Sequence, residues 1–218
     1  MSTAGVRPDR TTPDVLRARG SLPAGRGPAG TPPAADVVLA EPAVGDAAGL
    51  WRLARDVGLD ENSAYSYLMF CRDFAATSVV ARGPAGVLLG FVTGYRRPDA
   101  ADTLFVWQVG VAPPARRTGL GARMLDHLRR RPALAGVRFV EATVTPGNVA
   151  SDRLFRRFGA DAGAAVACRL GFAASMFPDG SPSHADEILY RIGPLQRTVA
   201  APAAGAGCCS RPPRRSDP

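Results

Sequence analysis

Val109–Leu128 reads VGVAPPARRTGLGARMLDHL, and the change of pattern inside it decides the fold. Phe105, Val106, Trp107, Val109 and Val111 are β-branched or aromatic and densely apolar, which predicts a strand running into the segment. Pro113 and Pro114 cannot donate to a sheet ladder and stop it. Leu120, Met124, Leu125 and Leu128 then fall on one face of a helix. Between strand and helix lies Arg116-Arg117-Thr118-Gly119-Leu120-Gly121. Free N–H groups at a helix start, the positive end of its dipole and two arginines together favour an anion. The glycines allow a pyrophosphate to approach the backbone closely.

Three phosphate-binding patterns compete for this loop. A dinucleotide fingerprint needs a small residue where Met124 stands. A Walker loop needs Gly-Lys-Ser/Thr, and all 27 basic residues of this chain are arginine. The third is V-x-V followed by [Q/R]-x-x-G-x-[G/A] into a helix, and it fits. It resembles the acetyl-coenzyme A loop of the GNAT superfamily of N-acetyltransferases. An ordinary glycine-containing strand-to-helix turn accounts for six residues equally well, so the rest of the chain has to decide.

At 218 residues, 46% hydrophobic and 21% charged, the chain is long enough for one domain with a real core. No apolar run approaches the roughly 20 residues that span a bilayer, and the N-terminus lacks the apolar centre of a secretory signal. A cytoplasmic protein without membrane association is the expectation. The net charge of +8 divides into about +2 for residues 1–36, +3 for 37–195 and +3 for 196–218, with no basic helix or aromatic-interleaved basic patch. That argues for solvated tails over nucleic-acid binding as the core function. Cys71 and Cys168 read as core thiols, and Cys208–Cys209 lack metal-ligand spacing. With only His127 and His184, a multi-histidine metal site is excluded, and no metal is expected.

Residues 1–36 and 196–218 are dominated by Pro, Ala, Gly and Arg and read as disordered tails around a domain at 37–195. Within it, Asp36–Ala40 is a first strand, and Glu41-Pro42 opens a helix that Gly58 ends. Asp60, Asn62 and Ser63 are capable caps for a helix carrying Tyr65, Leu68, Met69 and Cys71. Capping is the simpler role for Asp60; a wall for an amine is the other. Thr77–Arg82 and Val87–Tyr95 form a hairpin, and Thr103–Val111 is the fourth strand. Trp107 is either buried or, at a splayed strand end, turned to a substrate. A helix over 119–131 precedes a fifth strand, Val137–Val144. Glu141 interrupts its apolar run, which is costly unless the carboxylate is paired or protonated. It marks either a wet sheet face or a general base. Asn148 caps a helix over Val149–Phe158, residues 160–170 hold a short strand, and Glu187–Ile192 is the last one.

This order matches the GNAT fold over residues 37–195: a single mixed, mostly antiparallel twisted α/β sheet of six to seven strands with flanking helices. A splayed parallel pair of strands holds acetyl-coenzyme A in that fold. LDENSAYSYLMFC, TSVVA, GFVTGYRRPDADTLFVWQVGV, EATVTP-N-AS-LF and H-x-D-E-I-L-Y-R-I-G further resemble the diaminobutyrate acetyltransferases of ectoine biosynthesis. The resemblance implies acetyl transfer to the γ-amine of L-2,4-diaminobutyrate by a homodimer that needs no nucleic acid. It places the co-substrate on Val109, Val111, Arg116, Arg117, Thr118, Gly119, Gly121 and Asn148. It places the diamino acid among Asp60, Tyr65, Trp107, Glu141 and His184, with Glu141 as proton acceptor and the Val109 N–H at the oxyanion. For His184 an exposed loop position is the plain alternative. Many GNAT members carry a tyrosine acid where this chain has Phe155, so that role does not transfer. A GNAT enzyme for another small primary amine, and a nucleic-acid-associated protein using its basic tails, remain the alternatives.

Overall fold

The computed structural model describes residues 36–60, 62–178 and 185–196. The tails, the Cys208–Cys209 pair and His184 lie outside these residues. In chain order the elements are β1 (Val38–Ala40), α1 (Ala47–Asp56), α2 (Ala64–Asp73), β2 (Val79–Arg82), β3 (Leu88–Arg97), β4 (Ala100–Val111), α3 (Leu120–Arg129), β5 (Phe139–Val144), α4 (Val149–Asp161), β6 (Val166–Phe172) and β7 (Glu187–Ile192). The seven strands make one sheet in the order β1-β2-β3-β4-β5-β7-β6. Among the described strands only β4 and β5 run parallel.

Helices cover both faces. Leu104, Val106, Val140, Ala142 and Ile192 meet Leu120, Met124, Leu128, Phe155 and Phe158 of α3 and α4 in the larger core cluster. On the other face Val80 and Phe91 meet Leu50, Leu53, Tyr67 and Cys71 of α1 and α2. Leu128 is fully buried, and truncating it to alanine costs about 2–5 kcal/mol. The chain just after α3 is pinned by Arg131, whose Nη1 donates to the carbonyls of Ala75 (3.2 Å), Ala76 (3.3 Å) and Ser78 (2.5 Å). Burial pulls this guanidinium below its ordinary range.

Several boundaries differ from the sequence expectation, each for a local reason. The first helix begins at Ala47 instead of Glu41-Pro42, because a 3-10 turn over Val44–Asp46 intervenes. Asp46 holds that turn by accepting from Ala43 N–H (2.8 Å) and pairing with Arg82. The cap of α2 is Ser63, whose Oγ accepts from Ser66 N–H (3.4 Å), in place of Asp60. The fourth strand starts at Ala100, since β3 and β4 are joined by only Pro98–Asp99, with Arg97 paired to Asp99. Helix α4 passes through Gly159 to Asp161 because that glycine faces Val166 too closely for any Cβ, a packing role in place of a stop. Cys71 is buried as expected, but Cys168 is exposed on edge strand β6 and is not a core thiol.

Candidate active site

The parallel pair is short. Strands β4 and β5 pair only at Thr103↔Phe139, Leu104↔Val140 and Phe105↔Glu141, after which β4 runs on to Val111 without β5. Ala112 N–H donates to the Leu89 carbonyl (2.9 Å). Antiparallel alternation then turns the amides of Gly110 and Gln108 toward β3 as well, and those of Val109 and Val111 into the gap that β5 has left. The Val111 carbonyl in this gap accepts from Arg116 Nε (3.2 Å).

The loop that follows has Arg117 at φ 62° and Gly119 at φ 79°, two left-handed residues separated by one. Such a backbone brings N–H groups to one concave side, an anion nest, and α3 begins directly behind it. Arg117 is one of two non-glycine residues with positive φ among those described, a strained conformation held at the loop. Thr118 Oγ1 donates to the Ala115 carbonyl (2.8 Å) and closes the turn. The two glycines do different work. Gly119 supplies the left-handed turn, whereas a Cβ on Gly121 would sit 3.1 Å from Leu154 Cδ1, so Gly121 lets α3 and α4 approach. Asn148 caps α4 as expected, its Oδ1 accepting from Ser151 N–H (3.1 Å).

Two of the expected acceptor residues, Trp107 and Glu141, belong to the sheet, on the face under α2. A β-bulge interrupts the β3–β4 ladder: Thr93 pairs with Gln108 and Gly94 with Val106, leaving Trp107 as the extra residue. Trp107 is 47% exposed and lies against Phe70 of α2, ring centroids 6.2 Å apart. From there aromatic rings continue through Phe74 and Tyr95 to Phe105, the register partner of Glu141. Asp60 is exposed on the loop before α2, and its backbone carbonyl accepts from Gln108 Nε2 (3.0 Å). Tyr65 is exposed in the first turn of α2.

Glu141 is 2% exposed. Arg97 Nη1 donates to its Oε2 (2.7 Å), and Arg191, its cross-strand partner on β7, donates to Oε1. Arg97 also grips Asp99 through Nε and Nη2, and Arg191 stacks on Phe139, 3.8 Å from the ring centroid. The carboxylate that looked out of place in an apolar strand is therefore doubly paired. The sequence reading missed both arginines, Gln108, Tyr67 and the aromatic row. Period-two alternation along β3 puts Tyr95 and Arg97 on one face and was available as a signal; the identity of the facing helix was not.

Among the described residues no three His, Cys, Asp or Glu side chains gather as a metal site. A family model described as the acetyltransferase (GNAT) family matches residues 48–160. The chain belongs to the GNAT family. As a member it is an N-acetyltransferase that draws its acetyl group from acetyl-coenzyme A, and the splayed strands, inward amides and nest fit that co-substrate. Among its relatives, the L-2,4-diaminobutyric acid acetyltransferase of Streptomyces coelicolor is 51% identical over 163 residues, 74% of this chain and 95% of that protein. The enzyme of the same name from Marinococcus halophilus is 40% identical, with 74% and 92% covered. The solved diaminobutyrate acetyltransferase from Paenibacillus lautus, in complex with its substrate L-2,4-diaminobutyric acid and coenzyme A, has 41% identity and a TM-score of 0.70 to this GNAT chain. The match covers 75% of this chain and 98% of that one.

Proposed function

We propose that this GNAT enzyme acetylates the γ-amine of L-2,4-diaminobutyrate, the acetylation step of ectoine biosynthesis. One observation carries the proposal: 75% of this chain matches 98% of the length of a protein bound to this diamino acid and coenzyme A. The acceptor face agrees in chemistry, since a substrate with two ammonium groups calls for carboxylates and aromatic walls.

An alkyl ammonium has a pKa of about 10 and must lose a proton before it attacks. Glu141 is the proposed proton acceptor, and it must exchange one arginine bond for the ammonium. The nitrogen lone pair then attacks the thioester carbonyl carbon. A C–N bond forms, the carbonyl π pair moves to oxygen, and the Val109 N–H stabilises that charge. Collapse breaks the C–S bond; the newly bonded nitrogen gives up its remaining extra proton to water, and the leaving thiolate takes up a proton from water, since Phe155 has none to give. Asp60 pairs with the second ammonium, Tyr65 and Trp107 flank the chain, and His184 takes the carboxylate. Arg116, Arg117, Thr118, Gly119 and Gly121 receive the pyrophosphate of acetyl-coenzyme A, while Val109, Val111 and Asn148 line its pantetheine arm. The enzyme acts as a cytoplasmic homodimer, a state supported by the exposed Leu170, Phe172 and Met176 at the β6 end of the sheet.

Mass spectrometry of diaminobutyrate incubated with the protein and acetyl-coenzyme A tests this, with NMR to locate the new amide. The expected product carries one acetyl group on the γ-nitrogen. An α-acetylated product, or faster turnover of a polyamine or aminoglycoside in the same assay, overturns it.

A further inference from the structure

The bulge in β4 does more than turn Trp107 outward. In a regular strand Trp107 and Gln108 would project to opposite faces. Here both side chains meet α2: Trp107 lies against Phe70, and Gln108 Oε1 accepts from Tyr67 Oη at 2.7 Å. Gln108 Nε2 reaches the other way, to the Asp60 carbonyl at 3.0 Å. A backbone carbonyl only accepts, so the amide nitrogen must face Asp60, and the oxygen must face the Tyr67 hydroxyl, which donates. The orientation of Gln108 is thereby fixed from both ends.

The two ends differ in character. Tyr67 is 2% exposed and packs edge-on against Phe91, ring centroids 6.3 Å apart, in the core between α1, α2 and the sheet. Asp60 is exposed on the connection between α1 and α2, just past Leu59, whose N–H donates to the Ala54 carbonyl (2.9 Å) and whose side chain packs on the core. Between them Gln108 is a strut from the core to an acceptor-side loop. It also immediately precedes Val109, whose amide faces the gap.

We propose that Gln108 is a positioning residue for the acceptor, holding the Asp60 loop against β4 through the Tyr67–Gln108–Asp60 chain, with the bulge at Trp107 as the backbone device that makes this possible. The inference rests on the proposed role of Asp60 toward the substrate ammonium. Gln108 does not touch the substrate; it fixes where the Asp60 carboxylate stands. The amide is specifically required, because glutamate keeps the acceptor for Tyr67 but sets a carboxylate oxygen against the Asp60 carbonyl.

Steady-state kinetics on the full-length enzyme tests it with Gln108→Glu, Gln108→Leu, Tyr67→Phe and Asp60→Asn. In Gln108→Glu the KM for diaminobutyrate is expected to rise about tenfold, equivalent to about 1.4 kcal/mol, while the KM for acetyl-coenzyme A stays within about twofold. Asp60→Asn is expected to raise the same KM, and adding Gln108→Glu to it to raise it no further, the non-additivity of residues acting as one unit. If Gln108→Glu does not fold, Gln108→Leu and Tyr67→Phe decide, with shifts in the same KM. Equal rises in both KM values, or additive effects in the double variant, assign Gln108 a merely structural role and overturn the proposal. An Asp60→Asn effect without any from the Gln108 variants overturns it while leaving the role of Asp60 intact. No effect from Asp60→Asn overturns that role and the inference together.

Discussion

Replacing Glu141 by glutamine keeps the size and hydrogen-bonding reach of the side chain and removes its charge. The structure sets two separate consequences. The first is structural. Glu141 is 2% exposed and accepts from Arg97 and Arg191, whose side chains are 31% and 39% exposed. Breaking a fully buried ion pair costs about 3–5 kcal/mol. Both guanidiniums here can turn toward water, so the loss is nearer to about 2 kcal/mol once solvent screening is allowed for. For a domain of this size that lowers the melting temperature by roughly 4–8 °C. The second consequence is kinetic. As proton acceptor for the γ-ammonium, Glu141 contributes about 10²–10⁴ in kcat. As a fixed charge that only binds the ammonium, it raises KM for diaminobutyrate when lost and leaves kcat in place. The expected outcome is a fall in kcat, measured at saturating diaminobutyrate and acetyl-coenzyme A, well below the melting temperature of the variant. A folded Glu141→Gln enzyme with wild-type kcat removes Glu141 from proton transfer. In that event water, or Asp60 through water, is the acceptor.

The anion loop gives a paired test: Gly119→Ala places a Cβ at φ 79°, costing about 1–2 kcal/mol and distorting the nest, so acetyl-coenzyme A affinity by calorimetry should fall about tenfold. Arg117→Gly relieves the strain at φ 62° and should raise the melting temperature while weakening the same affinity; unchanged affinity in both variants would remove the loop from co-substrate binding. Cys71 should be almost inert in the native protein. Burial, with a smaller contribution from Asp46, pushes its thiol up to about 11 from 9.0, so its thiolate fraction at pH 8 falls about a hundredfold; alkylation with peptide mapping should label it only in denaturant, and labelling at the denatured rate would contradict the burial.

Local pattern in the sequence was enough for the elements. Strand, proline stop, glycine loop and helix over Val109–Leu128 each depend on neighbouring residues, and so do the Asn148 cap and the Glu187–Ile192 strand, found as expected. The element order, with the motifs of the anion loop and of EATVTP, was likewise enough for the family. Boundaries failed where a distant partner intervened. Gly159 ends a helix by propensity, yet here α4 runs through it and it lies against Val166 of β6. Cys168 looks like a core thiol by its neighbours, but β6 is an edge strand and leaves it exposed.

The site divides along the same line. Sequence alone determined that Glu141 is anomalous, because a carboxylate in an apolar run is visible in one dimension. Its partners Arg97 and Arg191 lie 44 and 50 residues away and reach it only through strand register. The bulge at Trp107 has no residue signature in the chain, since it arises from how two strands fit. It alone turns Trp107 and Gln108 to the same helix and ties Asp60 to β4 across 48 residues. Covalent neighbours fix propensity and spacing, and these were legible. Charge pairing, amide direction and the opening between β4 and β5 depend on residues brought together by register and packing, and only the tertiary structure decided them.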